Sequence, residues 1–173
     1  MLVPATDTDL PGIVALMNRA YRGADGARGW TAEQACIAGD RTTEGYLRED
    51  LAASPAATML KWVDGADATL RGCVWLEPSA EGTWHLGSLC VEPGEQDAGR
   101  GRTLLAAAEA WARERGAARV RMTVINVRDT LIAWYLRRGY QHTGATEPFP
   151  YGNDRVGKPL RPDLAFVVLG KTL

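Results

Sequence analysis

One short stretch limits what this chain can become. A strand pattern ends, two glycines follow, and an amphipathic helix begins. Residues 83–91, TWHLGSLCV, are expected to form a strand that Glu92-Pro93-Gly94 ends. Residues 100–115 then place Leu104, Leu105, Ala108, Trp111 and Ala112 on one helical stripe, with Gly116 as the stop. Gly99 and Gly101 open that helix. A helix N-terminus leaves backbone N–H groups unsatisfied and carries partial positive charge, so it suits phosphate oxygens. Glycines there remove the side chains that would hold a pyrophosphate away.

The flanking sequence points to sheet and helix in layers. Residues 1–3 are expected as a short strand. Asp9 is expected as the N-cap of a helix over 9–22, on which Ile13, Leu16, Met17, Ala20 and Tyr21 recur at helical spacing. Residues 23–42 read as irregular with one turn around Glu33, and 43–53 as helical up to Ser54-Pro55. Strands at 58–63 and 70–76 flank Asp64-Gly65-Ala66-Asp67 as a hairpin. A strand at 118–124, a helix at 129–138 closed by Gly139, and strands from Tyr140 onward and at 164–169 complete the series. The expected class is α/β (α+β): a mixed, mostly antiparallel sheet with helices on both faces, in one domain over 1–173.

Several functions are excluded or disfavoured. No apolar run approaches the ~18 residues of a membrane span. The start, MLVPATDTDLPG, lacks the pattern of a secretory signal. Cys36, Cys73 and Cys90 are widely spaced without a CxxC, so neither a disulfide framework nor a zinc site is expected, and a cytoplasmic location is the default. There is no HExxH and no GxSxG, which speaks against a metal enzyme and a serine hydrolase. The net charge of −1 disfavours nucleic acid as partner, but it conceals an asymmetry. Residues 99–138 carry nine arginines and a net +6, whereas residues 1–98 carry a net −8. A basic segment at the glycine turn fits a local anionic partner.

Two familiar phosphate loops fail here. Gly94 and Gly99 have Walker spacing, but Arg100-Gly101 replaces Lys-Ser/Thr, and Leu104 stands where a dinucleotide fingerprint needs its third glycine. What remains is Gln96-x-x-Gly99-x-Gly101, followed some forty residues later by Trp134-Tyr135-Leu136-Arg137-Arg138-Gly139-Tyr140. Together these resemble the GNAT superfamily of acyl-CoA-dependent N-acyltransferases, over nearly the whole chain. The resemblance implies that the backbone of residues 97–102, including Asp97, Ala98, Gly99 and Gly101, cradles the pyrophosphate of acetyl-CoA, with Arg100 and Arg102 adding charge. It implies that Leu89, Cys90 and Val91 pair with the pantetheine arm like an added strand, and that an N–H near Leu89 polarises the thioester carbonyl. Asn126 is the candidate for holding the pantetheine amides, although it stands nine residues before Tyr135, further than is usual in the family.

Acyl transfer to an amine needs a neutral amine and a protonated leaving sulfur. A lysine-like amine with pKa ~10.4 is neutral in about one molecule in ~2500 at pH 7, a penalty of roughly 4.6 kcal/mol that a positioned base partly offsets. The resemblance places Tyr135 as the donor to the thiolate; its alternative is a packing aromatic. His85, on the strand before the glycine turn, is the base candidate, directly or through water, and Gly87 and Leu89 are expected on its face. Its alternative is a half-buried strand histidine. Glu33 and Glu81 have no spacing argument, and His142 reads as structural. Cys90 lacks an adjacent base and reads as core rather than nucleophile.

On the acceptor side the resemblance points to Tyr21, Trp30, Glu33, Asp40, Phe149 and Tyr151. Trp30, Phe149 and Tyr151 either wall a site or only order loops; Glu33 or Asp40 is expected to meet a cationic amine. The net −8 of residues 1–98 leans the same way. The expected activity is an acetyl-CoA-dependent N-acetyltransferase acting on a small amine, an amino acid or a peptide end. It needs no metal and works as a monomer or homodimer, without nucleic acid or membrane. The alternative is an acyl-CoA-binding sensor of the same fold.

Overall fold

The computed structural model describes residues 1–23, 32–65, 68–94 and 99–173. Strand β1 (Leu2–Pro4) leads into helix α1 (Leu10–Arg22), which buries Leu10, Ile13, Leu16, Met17 and Ala20 along one stripe. Asp9 stands before this helix but does not cap it. Its carboxylate turns back to accept from the Thr6 N–H and hydroxyl, each at 2.7 Å, and from Lys61 Nζ at 2.6 Å. A single 3₁₀ turn over Asp7–Asp9 separates strand from helix, so the capping group serves that turn instead.

After the turn that follows Glu33 come β2 (Ile37–Ala38) and α2 (Glu44–Ala53). Thr43 caps α2 by accepting from the Tyr46 N–H at 3.2 Å. The strands β3 (Thr58–Val63), β4 (Leu70–Pro78) and β5 (Thr83–Val91) form a meander. Then follow α3 (Arg100–Arg113), β6 (Arg119–Ile125), α4 (Asp129–Leu136), β7 (Gln141–Pro148), β8 (Lys158–Pro159) and β9 (Ala165–Thr172). Seven strands make one sheet in the order β1-β3-β4-β5-β6-β9-β7, and β2 pairs with β8 apart from it. Within that sheet only the β5–β6 pair is parallel. The β2–β8 pair was not legible: two residues carry no alternation to read.

Helices cover both faces, as expected. On one face α3 and α4 bring Leu104, Leu105, Ala108, Leu131 and Tyr135 against Val74, Leu86, Leu89 and Val91. On the other, α1 and Leu47 of α2 cover Met59, Cys73 and Cys90. Gly72 lets α3 close on the sheet, because a Cβ there would stand 2.9 Å from the Cys90 carbonyl and 3.0 Å from Leu104. Among the described residues, no helix is long and apolar enough to cross a membrane.

Two irregularities in β5 shape the site. The β4–β5 register passes from Trp75↔Gly87 to Cys73↔Cys90, so Val74 alone faces both Ser88 and Leu89, and Ser88 takes a φ of +50°. This is a β-bulge, and it reverses the alternation beyond it. Leu89 therefore shares the face of Leu86, not that of His85; the expectation of a common face for His85, Gly87 and Leu89 is corrected. Gly87 inside a strand pattern was the available signal for a bulge. The second irregularity is that β5 pairs with β6 only from Thr83↔Arg119 to His85↔Arg121. Beyond His85, among the described residues, no strand pairs with that side of β5.

Candidate active site

A cavity of about 430 Å³ occupies the place where β5 and β6 part. Tyr21, Trp75 and His85 line it toward α1, and Leu89, Leu131 and Tyr135 toward α4. The parted strands thus leave a way from one face of the sheet to the other.

Tyr135 is buried on α4, held edge-on between Trp134 and Tyr140 with ring centroids 5.0 and 5.5 Å away. Among the described residues its hydroxyl has no hydrogen-bond partner. Burial pushes its pKa well above the usual phenol value, with Cys90 adding to the rise. The group is a protonated donor facing a cavity.

His85 sits opposite Glu77 on β4 and Arg121 on β6. Its ring lies over Gly87, where a Cβ would stand 3.2 Å from Nε2. Burial lowers its pKa below the usual histidine value, and Arg121 lowers it further, against the opposing pull of Glu77 and Glu147. Arg121 is itself ion-paired with Glu147. No described residue hydrogen-bonds the imidazole. It is neutral at pH 7 and free to accept a proton.

Tyr21 joins the two halves of the cavity. Its hydroxyl donates to the Leu89 carbonyl at 3.1 Å, and the Arg41 guanidinium lies over its ring, 5.3 Å from the centroid. Burial raises the Tyr21 pKa, so this donor too stays protonated.

Other predicted residues are placed differently. Glu33 lines the cavity, but Arg22 Nη1 holds it at 2.7 Å with both side chains nearly buried, so its charge is already matched. Asp40 lies outside this cavity, in a separate depression beside Thr43 and Arg155. Phe149 lines the cavity, stacked on Phe166 at 5.7 Å. Tyr151 is exposed and does not line it; its hydroxyl donates to Arg161 O at 2.9 Å and accepts from Leu164 N at 2.8 Å. Tyr151 orders the loop, one of the two roles open to it. Asn126 spends its side-chain amide on β9 and the residues before it, donating to Asp163 O and accepting from Ala165 N, each at 3.0 Å. Those two bonds fix the orientation of the amide and leave one N–H and one lone pair beyond them. Cys90 is core, its sulfur 3.4 Å from that of Cys73, beneath α1. Trp30, Gln96, Asp97 and Ala98 lie outside the described residues.

The start of α3 has the form a phosphate site requires. Gly99 has a φ of +73°, a conformation that side chains other than glycine rarely adopt, and Gly101 is buried in the first turn. Arg102 lies beside Gly99, and the charges of Arg102 and Arg137 bear on Arg138. The positive charge and the glycine backbone gathered at this turn are compatible with a phosphate group. Trp75 lines the cavity without any sequence signal, as a consequence of the β4 register. Arg41, which stands in the Asp40-Arg41 segment expected on the acceptor side, lines it in a place that depends on Asn18. Asn18 Oδ1 accepts from the backbone N–H of Arg41 at 2.7 Å and of Thr42 at 3.2 Å.

The Acetyltransferase (GNAT) family matches residues 27–140. No curated protein sequence matches the chain. Its fold is similar to that of ribosomal-protein-alanine N-acetyltransferase from Brucella melitensis, with TM-score 0.67, 20% identity, and 100% of this chain and 99% of that one covered. It is similar also to PaiA N-acetyltransferase from Thermoplasma acidophilum in complex with coenzyme A, with TM-score 0.66, 17% identity, and 100% and 98% covered. A spermidine N-acetyltransferase chimera from Vibrio cholerae gives TM-score 0.68 at 16% identity, with 99% and 94% covered. These identities speak to fold alone. The family match, which spans the parted strands, the glycine turn and the tyrosine helix, places this chain in the GNAT acetyltransferase family.

Proposed function

We propose that this protein transfers the acetyl group of acetyl-CoA to a primary amine of a small molecule, an amino acid or a peptide by direct attack. One observation carries the reading. A cavity at the β5–β6 parting holds a neutral histidine and a protonated tyrosine, His85 and Tyr135, neither with a hydrogen-bond partner among the described residues. The start of α3 would hold the pyrophosphate through the backbone at Gly99 and Gly101, with Arg100 and Arg102 as counter-charges. Leu89 to Val91, unpaired by any strand on the β6 side, would take the pantetheine arm as an added strand.

In the reaction His85 accepts a proton from the ammonium group, directly or through one water. The freed amine attacks the thioester carbon, the C–N bond forms and the C–S bond breaks. The nitrogen gives up its second proton to solvent, as does the protonated His85 before the next turnover. The leaving thiolate takes the Tyr135 proton, and solvent restores it. Bound coenzyme A supplies the activated acyl group; the chain supplies position and proton transfer.

The test is a panel of amines incubated with acetyl-CoA, read by thiol release and by the mass of the acetylated product. Thiol release that depends on the amine, with a product 42 Da heavier, is expected (one acetyl replacing one hydrogen). Acetyl-CoA that binds while no amine is acetylated would favour the sensor instead.

A further inference from the structure

The charged groups around the cavity do not cancel. Glu33 is taken by Arg22, which also donates to the carbonyls of Gly39 and Val156. Asp50 is taken by Arg155 at 2.5 Å. His85 is neutral at pH 7 for the reasons given above. Arg41 is left. Among the described residues its guanidinium has no anionic partner, only the face of Tyr21 beneath it. Its backbone, by contrast, is fixed, because Asn18 accepts from Arg41 N and Thr42 N and donates to Thr42 O at 3.0 Å.

A half-buried guanidinium on an aromatic face, held by a fixed loop and facing a cavity, has among the described residues no anion of its own. A carboxylate matches its fork with two parallel hydrogen bonds. Tyr21 supplies the link to the reacting end, since the ring under Arg41 carries the hydroxyl that donates to Leu89 O. We infer that Arg41 recognises a carboxylate on the acceptor, so that the acceptor is a free amino acid or a similar compound with amine and carboxylate together. This rests on the acyl-transfer reading above and narrows it. A polyamine would bring further positive charge beside Arg41. The end of a long peptide would offer an amide in place of the carboxylate.

The excess of acidic residues over 1–98 suggested a cationic acceptor, and the pairing explains why that guide fails here. Asp9, Glu33, Glu44, Glu49, Asp50 and Glu92 are all ion-paired within the protein. Net charge along the chain therefore says little about the charge facing the cavity.

The experiment compares the free amino acids with their carboxamides and decarboxylated amines, and with spermidine. The readouts are kcat/KM by thiol release and, independently of turnover, calorimetric binding of N-acetyl amino acids and their amides to the CoA-loaded protein. The acids are expected to exceed their amides at least tenfold in both. Arg41→Gln should reduce that ratio to near one, and Arg41→Lys should leave an intermediate ratio; thermal unfolding shows that each variant is folded. Amides or spermidine equal to the acids, or a preference that survives in Arg41→Gln, would overturn the inference while amine acetylation itself stands. Selective, Arg41-dependent binding of the acids without acetylation of any amine would support the carboxylate site and sink the transfer reading.

Discussion

The Tyr21 hydroxyl donates to the Leu89 carbonyl at 3.1 Å, and so ties α1 to β5 just past the bulge at Ser88. This carbonyl lies on the stretch of β5 that has lost β6 as a neighbour. A tyrosine supplies the donor there, and the same ring seats Arg41. One side chain thus joins α1, β5 and the Arg41 loop.

Tyr21→Phe isolates that bond, because the ring and its packing remain. A buried carbonyl left without its donor costs about 1–3 kcal/mol. The variant is expected to unfold at lower urea concentration with an unchanged m-value. An unaltered midpoint would mean that water or a rearranged side chain replaces the hydroxyl without loss.

Tyr135→Phe tests the thiolate donor in the same manner. The edge-on contacts with Trp134 and Tyr140 survive the change, so fold and coenzyme A affinity should be retained. The rate constant of a slow-chemistry substrate should fall by ~10² or more, the usual contribution of general acid catalysis. A rate within threefold of the parent would leave Tyr135 as a packing residue only.

Gly101→Val addresses the cradle. Gly101 is buried in the first turn of α3, next to the left-handed Gly99, where the proposed pyrophosphate cradle lies. Affinity for acetyl-CoA should weaken at least tenfold, about 1.4 kcal/mol. Calorimetry giving the parent affinity in a folded variant would move the coenzyme site elsewhere.

The order of strands and helices was legible in the sequence because periodicity reports burial locally. The ranges Thr58–Val63 and Thr83–Val91 match expectation to the residue, and the stripe of α3 packs as its spacing requires. Tyr135 and His85 were legible as a pair of candidates, and the fold brings both to one cavity. What was not legible depends on partners distant in sequence. Glu33 reads as a free carboxylate until Arg22 is placed beside it, and the bonds of Asn126 to Asp163 and Ala165 have no counterpart in its local sequence. The charge count along residues 1–98 likewise hid that Asp9, Glu33, Glu44, Glu49, Asp50 and Glu92 are ion-paired within the protein.

His85→Gln tests the base and has two separate readouts. Burial and Arg121 lower the His85 pKa, so the folded protein binds fewer protons than the unfolded chain just below the ordinary histidine value of 6.5. Stability linked to His85 is therefore complete above pH 6.5 and is lost as pH falls through the lowered folded value. The Gln variant, which cannot titrate, should lack this acid-side loss. In activity, the proposed base works as the neutral imidazole, so kcat/KM should rise through an apparent pKa below 6.5 and again at higher pH as the amine itself deprotonates. Acceptors of different amine pKa separate the limbs, since only the upper one moves with the acceptor. His85→Gln should erase the lower limb and keep the upper. If the variant keeps both limbs and a near-parent rate while its stability profile changes as described, solvent removes the proton. His85 would then be a buried histidine whose titration affects folding alone.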